Sequence, residues 1–183
     1  MHTDLAYILL DSATVQTRVA ELADEITRTH AEHDDLLLVG VLKGSVMFIV
    51  DLARALKRNV ALDFIAISSY GQATETSGVV RMLKDLDAPI AGRHVMIVED
   101  IVDSGLTLQY LRDHLQRRSP ASLEVCTLLS KPDRRIADVQ IDYCGFDIPN
   151  EFVVGYGLDY AERYRNLPYI GILRAEVYNR AAE

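Results

Sequence analysis

The sequence predicts an α/β fold with a mostly parallel central sheet flanked by helices. Short apolar runs typical of buried strands alternate with segments whose apolar residues recur at helical spacing. No linker interrupts this alternation, so we expect residues 1–183 to form a single domain with a sizeable core. Ligands of such sheets bind at the carboxyl ends of the strands, and we expect the functional site there.

The N-terminal part of the chain predicts a helix, a strand and a second helix. The first helix follows a capping pair, Asp11-Ser12, and places four apolar residues on one face: Val15, Val19, Leu22 and Ile26. Residues 36–41 form an apolar run typical of a strand. The turn Lys43-Gly44-Ser45 then leads into the second helix.

The middle of the chain predicts a hairpin with a long connection. Residues 62–68 are typical of one strand, and residues 79–83 of its return strand. The segment between them is rich in Gly, Ser and Thr and has almost nothing to bury, which is typical of a mobile loop. We therefore expect a mobile loop at about 69–79. Later strands are predicted at 95–98, 123–129, 139–143, 152–154 and 170–173.

A small polar turn follows the predicted strand 95–98. Leu108, Leu111 and Leu115 recur at helical spacing after it, so loop 104–107 lies at a helix N-terminus. Free backbone N–H groups there, together with the helix dipole and the hydroxyl groups of Ser104 and Thr107, suit a phosphate monoester.

Three carboxylates surround this turn, those of Glu99, Asp100 and Asp103. Glu99 and Asp100 repel each other unless a cation or hydroxyl groups lie between them. A sugar diol bound to Mg²⁺ would meet that need. The stretch 95–107 therefore predicts a site that fits a phosphorylated ribose.

Composition disfavours several other classes of protein. The net charge of −8 argues against a nucleic-acid partner, which normally selects a basic surface. The longest apolar run, residues 36–42, is too short to cross a membrane, and Met1-His2-Thr3-Asp4 opens no signal peptide, so we expect the cytoplasm. Cys126 and Cys144 are expected to be free thiols, and His30 and His33 to lie on the surface.

The segment 99–107, Glu-Asp-Ile-Val-Asp-Ser-Gly-Leu-Thr, resembles the phosphoribosyl pyrophosphate motif of the purine phosphoribosyltransferases. That motif alone leaves the purine, pyrimidine and biosynthetic branches open. Further blocks, over almost the whole chain, narrow the resemblance to the bacterial hypoxanthine (hypoxanthine-guanine) phosphoribosyltransferases: Leu42-Lys43-Gly44, Ser68-Ser69-Tyr70-Gly71, Lys131-Pro132, residues 152–160 and Arg165.

The resemblance implies the type I phosphoribosyltransferase fold, with a small hood formed by the N-terminal residues and about 144–183. It implies transfer of 5-phosphoribose from 5-phosphoribosyl 1-pyrophosphate to N9 of hypoxanthine, with guanine as a second expected acceptor, in purine salvage. It also implies Mg²⁺ as cofactor and a homodimer or homotetramer. No nucleic-acid or membrane partner is expected.

The resemblance further implies a role for each block. Asp103 is the expected catalytic residue, near N7 of the purine. Glu99 and Asp100 are expected at the ribose hydroxyls and, with Asp159, at the metal. The remaining expectations are the 5-phosphate at Ser104, Gly105, Leu106 and Thr107; pyrophosphate at Lys43, Gly44 and Arg165, on backbone with a cis peptide; the purine at Lys131, Phe152, Val153 and Asp159; and a lid at Ser69 and Tyr70.

Two alternatives stay open at this point. One is a phosphoribosyltransferase that prefers xanthine or guanine. The other is a regulator with the same fold that binds a nucleotide and an RNA; it needs a basic face, which the net charge disfavours.

Overall fold

The computed structural model describes residues 3–32, 35–69 and 80–179. Its helices are α1 Ser12–Thr29, α2 Val46–Ala55, α3 Leu106–Gln116 and α4 Ala175–Asn179, with a short 3-10 helix at Pro132–Arg134. Its strands are β1 Leu5–Leu10, β2 Leu36–Leu42, β3 Ala61–Ser69, β4 Val80–Lys84, β5 His94–Val102, β6 Ser122–Ser130, β7 Tyr143–Asp147, β8 Val153–Val154 and β9 Ile170–Leu173.

The main sheet has six strands in the order β4-β3-β2-β5-β6-β7. Only β4 runs antiparallel to its neighbour; the pairs from β3 to β7 are parallel. The helices cover both faces: α1 and α2 pack in one buried cluster with Leu38 and Met96, and α3 packs in a second with Val39 and Ile97. The predicted α/β class and mostly parallel sheet are therefore confirmed.

The first helix begins as its sequence predicts. Asp11 is its N-cap, and its carboxylate accepts a 2.8 Å hydrogen bond from the backbone N–H of Thr14. The apolar stripe of the helix, Val15 to Ile26, is buried against the sheet. Burial of this stripe attaches α1 to the side of the sheet that also carries α2.

A second, antiparallel sheet contains three short strands in the order β1-β9-β8. It combines the N-terminal strand with residues from the last third of the chain, while β7 belongs to the main sheet. Residues 155–169 connect β8 to β9 and approach the carboxyl ends of the main strands, because Gly157 packs against Gly44. The second sheet therefore anchors a loop that reaches the edge where ligands of such folds bind.

The prediction of a strand at 139–143 is wrong except at its last residue, since β7 begins at Tyr143. Val139 and Ile141 pack beside the core cluster of α3 without strand pairing. Asp142 instead binds the backbone of Val125 in β6. Its carboxylate accepts a 2.8 Å hydrogen bond from the N–H of Val125, and its own N–H donates to the carbonyl of Val125 at 3.0 Å.

The prediction of a surface position for His30 is also wrong. His30 follows the last turn of α1 and is only 2% exposed, with Nε2 3.1 Å from the carboxylate of Glu124 on β6. His33 lies outside the described residues. Cys126 and Cys144 are free thiols, as predicted, with Cys126 buried and Cys144 half-buried.

The predicted mobile loop at about 69–79 falls almost wholly outside the described residues, and so does Tyr70. Ser69 is the last residue of β3. Within the described part of the chain, no helix has the length and apolar character needed to cross a membrane.

Candidate functional site

A cavity of about 370 Å³ opens at the carboxyl ends of β2 and β5. Its walls bring together predicted site residues from three distant parts of the chain. They are Lys43, Gly44, Glu99, Asp100, Asp103, Ser104, Gly105, Thr107, Asp159 and Arg165. Among the described residues, the lining does not include Leu106, Lys131, Phe152 or Val153.

Two adjacent acids form the floor of the cavity, at the end of β5. Glu99 is 6% exposed, and burial together with the charge of Asp100 raises its pKa well above the usual range. Burial raises the pKa of Asp100 to about 6, and the charge of nearby Arg165 partly opposes this shift. Two adjacent carboxyls with raised pKa values resist ionisation unless a cation or hydroxyl donors approach them.

The turn after β2 presses against this acid pair. The peptide bond between Leu42 and Lys43 is cis. A Cβ added to Gly44 would lie 1.6 Å from Oδ2 of Asp100, so only glycine lets the backbone pass this close. Ser45 is buried and its hydroxyl donates to the carbonyl of Val41 at 2.7 Å, which ties the turn to its strand.

The turn before α3 lies at a helix N-terminus, as its sequence predicted. Gly105 is the N-cap of α3 and adopts a left-handed φ of +83°. The first N–H groups of a helix have no intrahelical partner, so they remain available to an anion. The carbonyl of Ser104 accepts bonds from the N–H groups of Ile136 and Ala137 at 2.9 and 3.0 Å, which attaches the turn to the segment after β6.

Asp103 is paired with a residue that sequence reasoning missed. Nε of Arg134 lies 3.1 Å from Oδ1 of Asp103, and both side chains are about half exposed. Arg134 ends the 3-10 helix that follows Lys131. The sequence does carry a signal for this cation, because two consecutive arginines, Arg134-Arg135, follow shortly after the Lys131-Pro132 block.

The basic end of the cavity centres on Arg165. Its Nη2 lies 2.8 Å from Oδ1 of Asp159 and 3.4 Å from Oε2 of Glu162, and its Nη1 donates to the carbonyl of Gly157 at 2.9 Å. Nε of Arg165 is buried and has no hydrogen-bond partner among the described residues. Lys43 pairs with Glu162 as well, at 3.2 Å. Glu162 is the second residue that the sequence interpretation missed.

Residues 155–157 hold this end in place. Gly155, Tyr156 and Gly157 all have positive φ values, of +102°, +51° and +102°. A Cβ added to Gly157 would lie 1.9 Å from the carbonyl oxygen of Gly44, so the two turns are in direct backbone contact. Tyr156 is 4% exposed, and its hydroxyl donates to Asp51 of α2 at 2.7 Å.

The predicted purine residues lie directly after β6 and around β8: Lys131 follows β6, Phe152 precedes β8, Val153 begins it and Asp159 follows it. Lys131 is 8% exposed, and burial lowers the pKa of its ammonium although the charge of Asp103 opposes this shift. The ring of Phe152 is 39% exposed and stacks on Tyr178, with centroids 5.2 Å apart at 21°. Val153 is buried in the core.

A metal ion would find oxygen ligands here. Among the described residues, no group of three or more His, Cys, Asp or Glu side chains is arranged to hold a metal ion by itself. Glu99 and Asp100 nevertheless offer two adjacent carboxyl groups, whose pKa values are raised mainly by burial. A hard cation that keeps water and shares substrate oxygens, as Mg²⁺ does, fits such a donor set.

Comparison with known proteins decides the family. The profile of the family described as "Phosphoribosyl transferase domain" matches residues 8–161. The hypoxanthine-guanine phosphoribosyltransferase of Mycobacterium tuberculosis (strain ATCC 25618 / H37Rv) is 56% identical over 180 residues, which are 96% of this chain and 89% of that protein. The chain belongs to the hypoxanthine-guanine phosphoribosyltransferase family. The protein of the same name from Streptococcus thermophilus is 44% identical and covers 98% of this chain and 99% of its own length.

Solved structures of hypoxanthine phosphoribosyltransferases have the same fold. The Staphylococcus aureus enzyme matches with a TM-score of 0.93 and 47% identity, covering 97% of this chain and 96% of its own. The Trypanosoma cruzi enzyme matches with a TM-score of 0.94 and 44% identity, covering 100% of this chain and 99% of its own. The predicted family, the type I phosphoribosyltransferase fold and the enzyme class are therefore confirmed, and the alternative of a regulator with the same fold is not favoured.

Proposed function

We propose that this member of the hypoxanthine-guanine phosphoribosyltransferase family transfers 5-phosphoribose from 5-phosphoribosyl 1-pyrophosphate to N9 of hypoxanthine and guanine. IMP or GMP forms, and pyrophosphate leaves. The observation that carries the proposal is that one cavity combines the buried acids Glu99 and Asp100, the phosphate turn 104–107 and the cations Lys43 and Arg165. Each part of the donor substrate thereby has a partner of suitable chemistry.

The acid pair is proposed to hold and stabilise the sugar. Cleavage of the bond between C1 and pyrophosphate develops positive charge on the ribose ring. The carboxylates of Glu99 and Asp100 accept hydrogen bonds from the ribose hydroxyls, and their negative charge stabilises the developing cation. Burial raises the pKa of both carboxyls, and hydrogen bonds from the ribose hydroxyls, together with Mg²⁺ where it is bound, would favour their ionised forms.

Asp103 is proposed as the general base. Its carboxylate takes the proton from N7 of the purine while N9 forms the new bond to C1, and it returns the proton in the reverse reaction. Arg134 faces this carboxylate when no purine is bound. In the same step, the backbone of Ser104, Gly105, Leu106 and Thr107 holds the 5-phosphate at the start of α3.

Glu99, Asp100 and Asp159 are the residues proposed to hold Mg²⁺, directly or through water. When bound, the cation would neutralise charge on the pyrophosphate and so make it a better leaving group. Lys43, Gly44 and Arg165 bind the same group from the protein side. Full activity in excess chelator would contradict the cofactor proposal.

The purine is proposed to lie between the aromatic face of Phe152 and the segment of Lys131. The ammonium of Lys131 donates to O6 of a 6-oxopurine, and the backbone carbonyls of Val153 and Asp159 accept from the 2-amino group of guanine. Ser69 and Tyr70 belong to the predicted lid, which would exclude water from the activated sugar.

An activity panel tests the proposed function. Hypoxanthine, guanine, xanthine and adenine are each supplied with 5-phosphoribosyl 1-pyrophosphate and Mg²⁺, and release of pyrophosphate is measured. We expect turnover with hypoxanthine and guanine. A clear preference for xanthine would favour the alternative enzyme, and no turnover with any base would contradict the proposal.

Assembly and compartment are also proposals. We propose a homodimer or homotetramer, and the support on this chain is an exposed apolar face of α2, where Met47 and Val50 are 39% and 42% exposed. Light scattering on the purified protein tests this, since a monomer at working concentration would contradict it. The proposed compartment is the cytoplasm, in line with the expectation from the sequence.

A further inference from the structure

Glu162 lies between the two cations of the cavity. Nζ of Lys43 donates to both of its carboxylate oxygens at 3.2 Å, and Nη2 of Arg165 lies 3.4 Å from Oε2. These two cations are the ones proposed to bind pyrophosphate. A carboxylate of the protein itself therefore pairs with the two cations that are proposed to bind the leaving group.

The backbone fixes Glu162 in this position. Its φ is +61°, a left-handed value that is uncommon for a residue with a Cβ, and Ala161 and Tyr164 share this region at +51° and +75°. The N–H of Glu162 donates to Oδ2 of Asp159 at 2.8 Å. This hydrogen bond joins the backbone of Glu162 to a residue of the cavity wall, so the turn holds that backbone beside the basic end of the cavity and leaves the side chain free to rotate.

The ion pairs of Glu162 are weak enough for an anionic ligand to replace its carboxylate. The side chains of Lys43 and Glu162 are 65% and 66% exposed, and pairs at such exposure are weak. The two cations hold the pKa of Glu162 below its usual range, so it is ionised at neutral pH. A pyrophosphate group carries more negative charge than one carboxylate and presents several acceptor oxygens, so it competes successfully for the same cations.

Building on the proposed function, we propose that Glu162 is an exchangeable counter-ion of the pyrophosphate site. It pairs with Lys43 and shares Arg165 with Asp159, leaves both cations when pyrophosphate binds, and returns to them as pyrophosphate departs. The consequence is a weaker affinity for pyrophosphate than the two cations alone would give. This favours release of the product.

Two variants test the proposal. Glu162→Gln keeps the size of the side chain and removes its charge. Glu162→Gly removes the side chain at a φ that suits glycine, so it also relieves backbone strain. Glu21→Gln is the matched control, because Glu21 is an exposed acid that pairs with Arg18 on α1.

Calorimetric titration with magnesium pyrophosphate, and separately with IMP, provides the readout. We expect both Glu162 variants to lower the Kd for pyrophosphate by about three- to tenfold, and high salt to reduce this difference. The Kd for IMP should stay the same, because IMP has no pyrophosphate and its phosphate is assigned to the turn 104–107. The inhibition constant of pyrophosphate as a product should fall in parallel, while Glu21→Gln changes none of these values.

The outcomes separate this inference from the function it rests on. If the parent enzyme binds pyrophosphate and IMP but both Glu162 variants bind pyrophosphate equally well or more weakly, Glu162 is not a competing counter-ion, and the proposed function stands. If the parent binds neither ligand and turns over no purine, the proposed function fails and the inference fails with it.

Discussion

The hydroxyl of Tyr156 donates a 2.7 Å hydrogen bond to Oδ2 of Asp51, and this bond joins the loop after β8 to the middle of α2. The same helix starts directly after the turn of Gly44, and Gly157 packs on the carbonyl of that turn. The bond therefore closes a ring of contacts around the basic end of the cavity.

Removing the hydroxyl should weaken the fold. We expect Tyr156→Phe to lower the free energy of unfolding by about 1.5–3 kcal/mol, because it removes a buried hydrogen bond to a charged group. The loss should lie at the low end of this range, since Gln16 still donates to Asp51 at 2.8 Å. Denaturant unfolding measures it. Tyr160→Phe is the control, because that hydroxyl lies 3.5 Å from its carbonyl acceptors; equal losses in both variants would contradict the assignment.

The contact between Gly44 and Asp100 makes a second prediction. Gly44→Ala places a methyl group where Oδ2 of Asp100 lies, so the turn and the carboxylate must move apart. We expect KM for 5-phosphoribosyl 1-pyrophosphate to rise by about tenfold or more, with a stability loss of about 1–3 kcal/mol from overpacking. Gly92→Ala is the control: no atom lies within 4 Å of the added Cβ, although the φ of +74° at this position is unfavourable for alanine. An unchanged KM in Gly44→Ala would argue against the close contact.

Most of the main sheet could be predicted because its signals are local. Apolar runs and helical spacing identified β2, β5, β6, α1 and α3 to within a few residues. The strand β1 was missed because it pairs with β9, about 160 residues further along the chain, and no local pattern carries that pairing. The segment 139–142 was assigned to a strand because its apolar residues enter the core, but they do so from irregular backbone.

The same difference between local and long-range signals applies to the candidate site. The carboxylates and the phosphate turn are contiguous in sequence, so their spacing alone predicted a common site. Glu162 was missed because its contact with Lys43 depends on left-handed backbone and on two segments 119 residues apart. Arg134 was missed because its pairing with Asp103 depends on a 3-10 turn after β6 that brings it back to the cavity.

The raised pKa of Asp100 predicts a dependence of stability on pH. Burial raises this pKa from 3.8 to about 6, so the folded protein binds the proton more tightly than the unfolded chain does. The contribution of Asp100 to stability is therefore fully present below about pH 4 and is lost as pH rises through about 6. Asp100→Asn keeps the acceptor for the N–H of Ile101 and removes the buried charge.

We expect Asp100→Asn, without ligand, to be about 1–3 kcal/mol more stable than the parent at about pH 8, and nearly equal at about pH 4. Denaturant unfolding across this range measures the difference. Asp24→Asn is the control, since Lys57 lowers the pKa of exposed Asp24 and its removal should not stabilise the protein at high pH. A difference for Asp100→Asn that does not vary with pH would contradict the buried-charge argument.

Asp103 as general base makes a kinetic prediction. We expect Asp103→Asn to lower kcat by about 10²–10⁴-fold, the usual contribution of general acid-base catalysis, while the Kd for 5-phosphoribosyl 1-pyrophosphate changes little. Stability should change by less than about 1 kcal/mol, because the lost ion pair with Arg134 is half exposed. Steady-state rates and calorimetry measure these effects. Asp133→Asn, which changes a neighbouring acid, should keep its rate; near-parent turnover in Asp103→Asn would remove Asp103 from the base role.

The proposed purine contact of Lys131 makes a prediction about base choice, because its ammonium can donate hydrogen bonds and cannot accept them. A 6-oxopurine offers it an acceptor oxygen, whereas adenine offers an amino group and would leave a largely buried ammonium opposite a donor. Sites built on such a bond reject the wrong analogue by about 10⁴–10⁵-fold, so we expect adenine to be nearly inert.

The amide side chain of Lys131→Gln can both donate and accept hydrogen bonds, so the kcat/KM ratio of this variant between hypoxanthine and adenine should fall by at least about tenfold. Lys57→Gln, an exposed lysine paired with Asp24, serves as the control. If the parent used adenine as readily as hypoxanthine, the purine site would be misassigned; if Lys131→Gln kept the full discrimination, its source would lie in another residue.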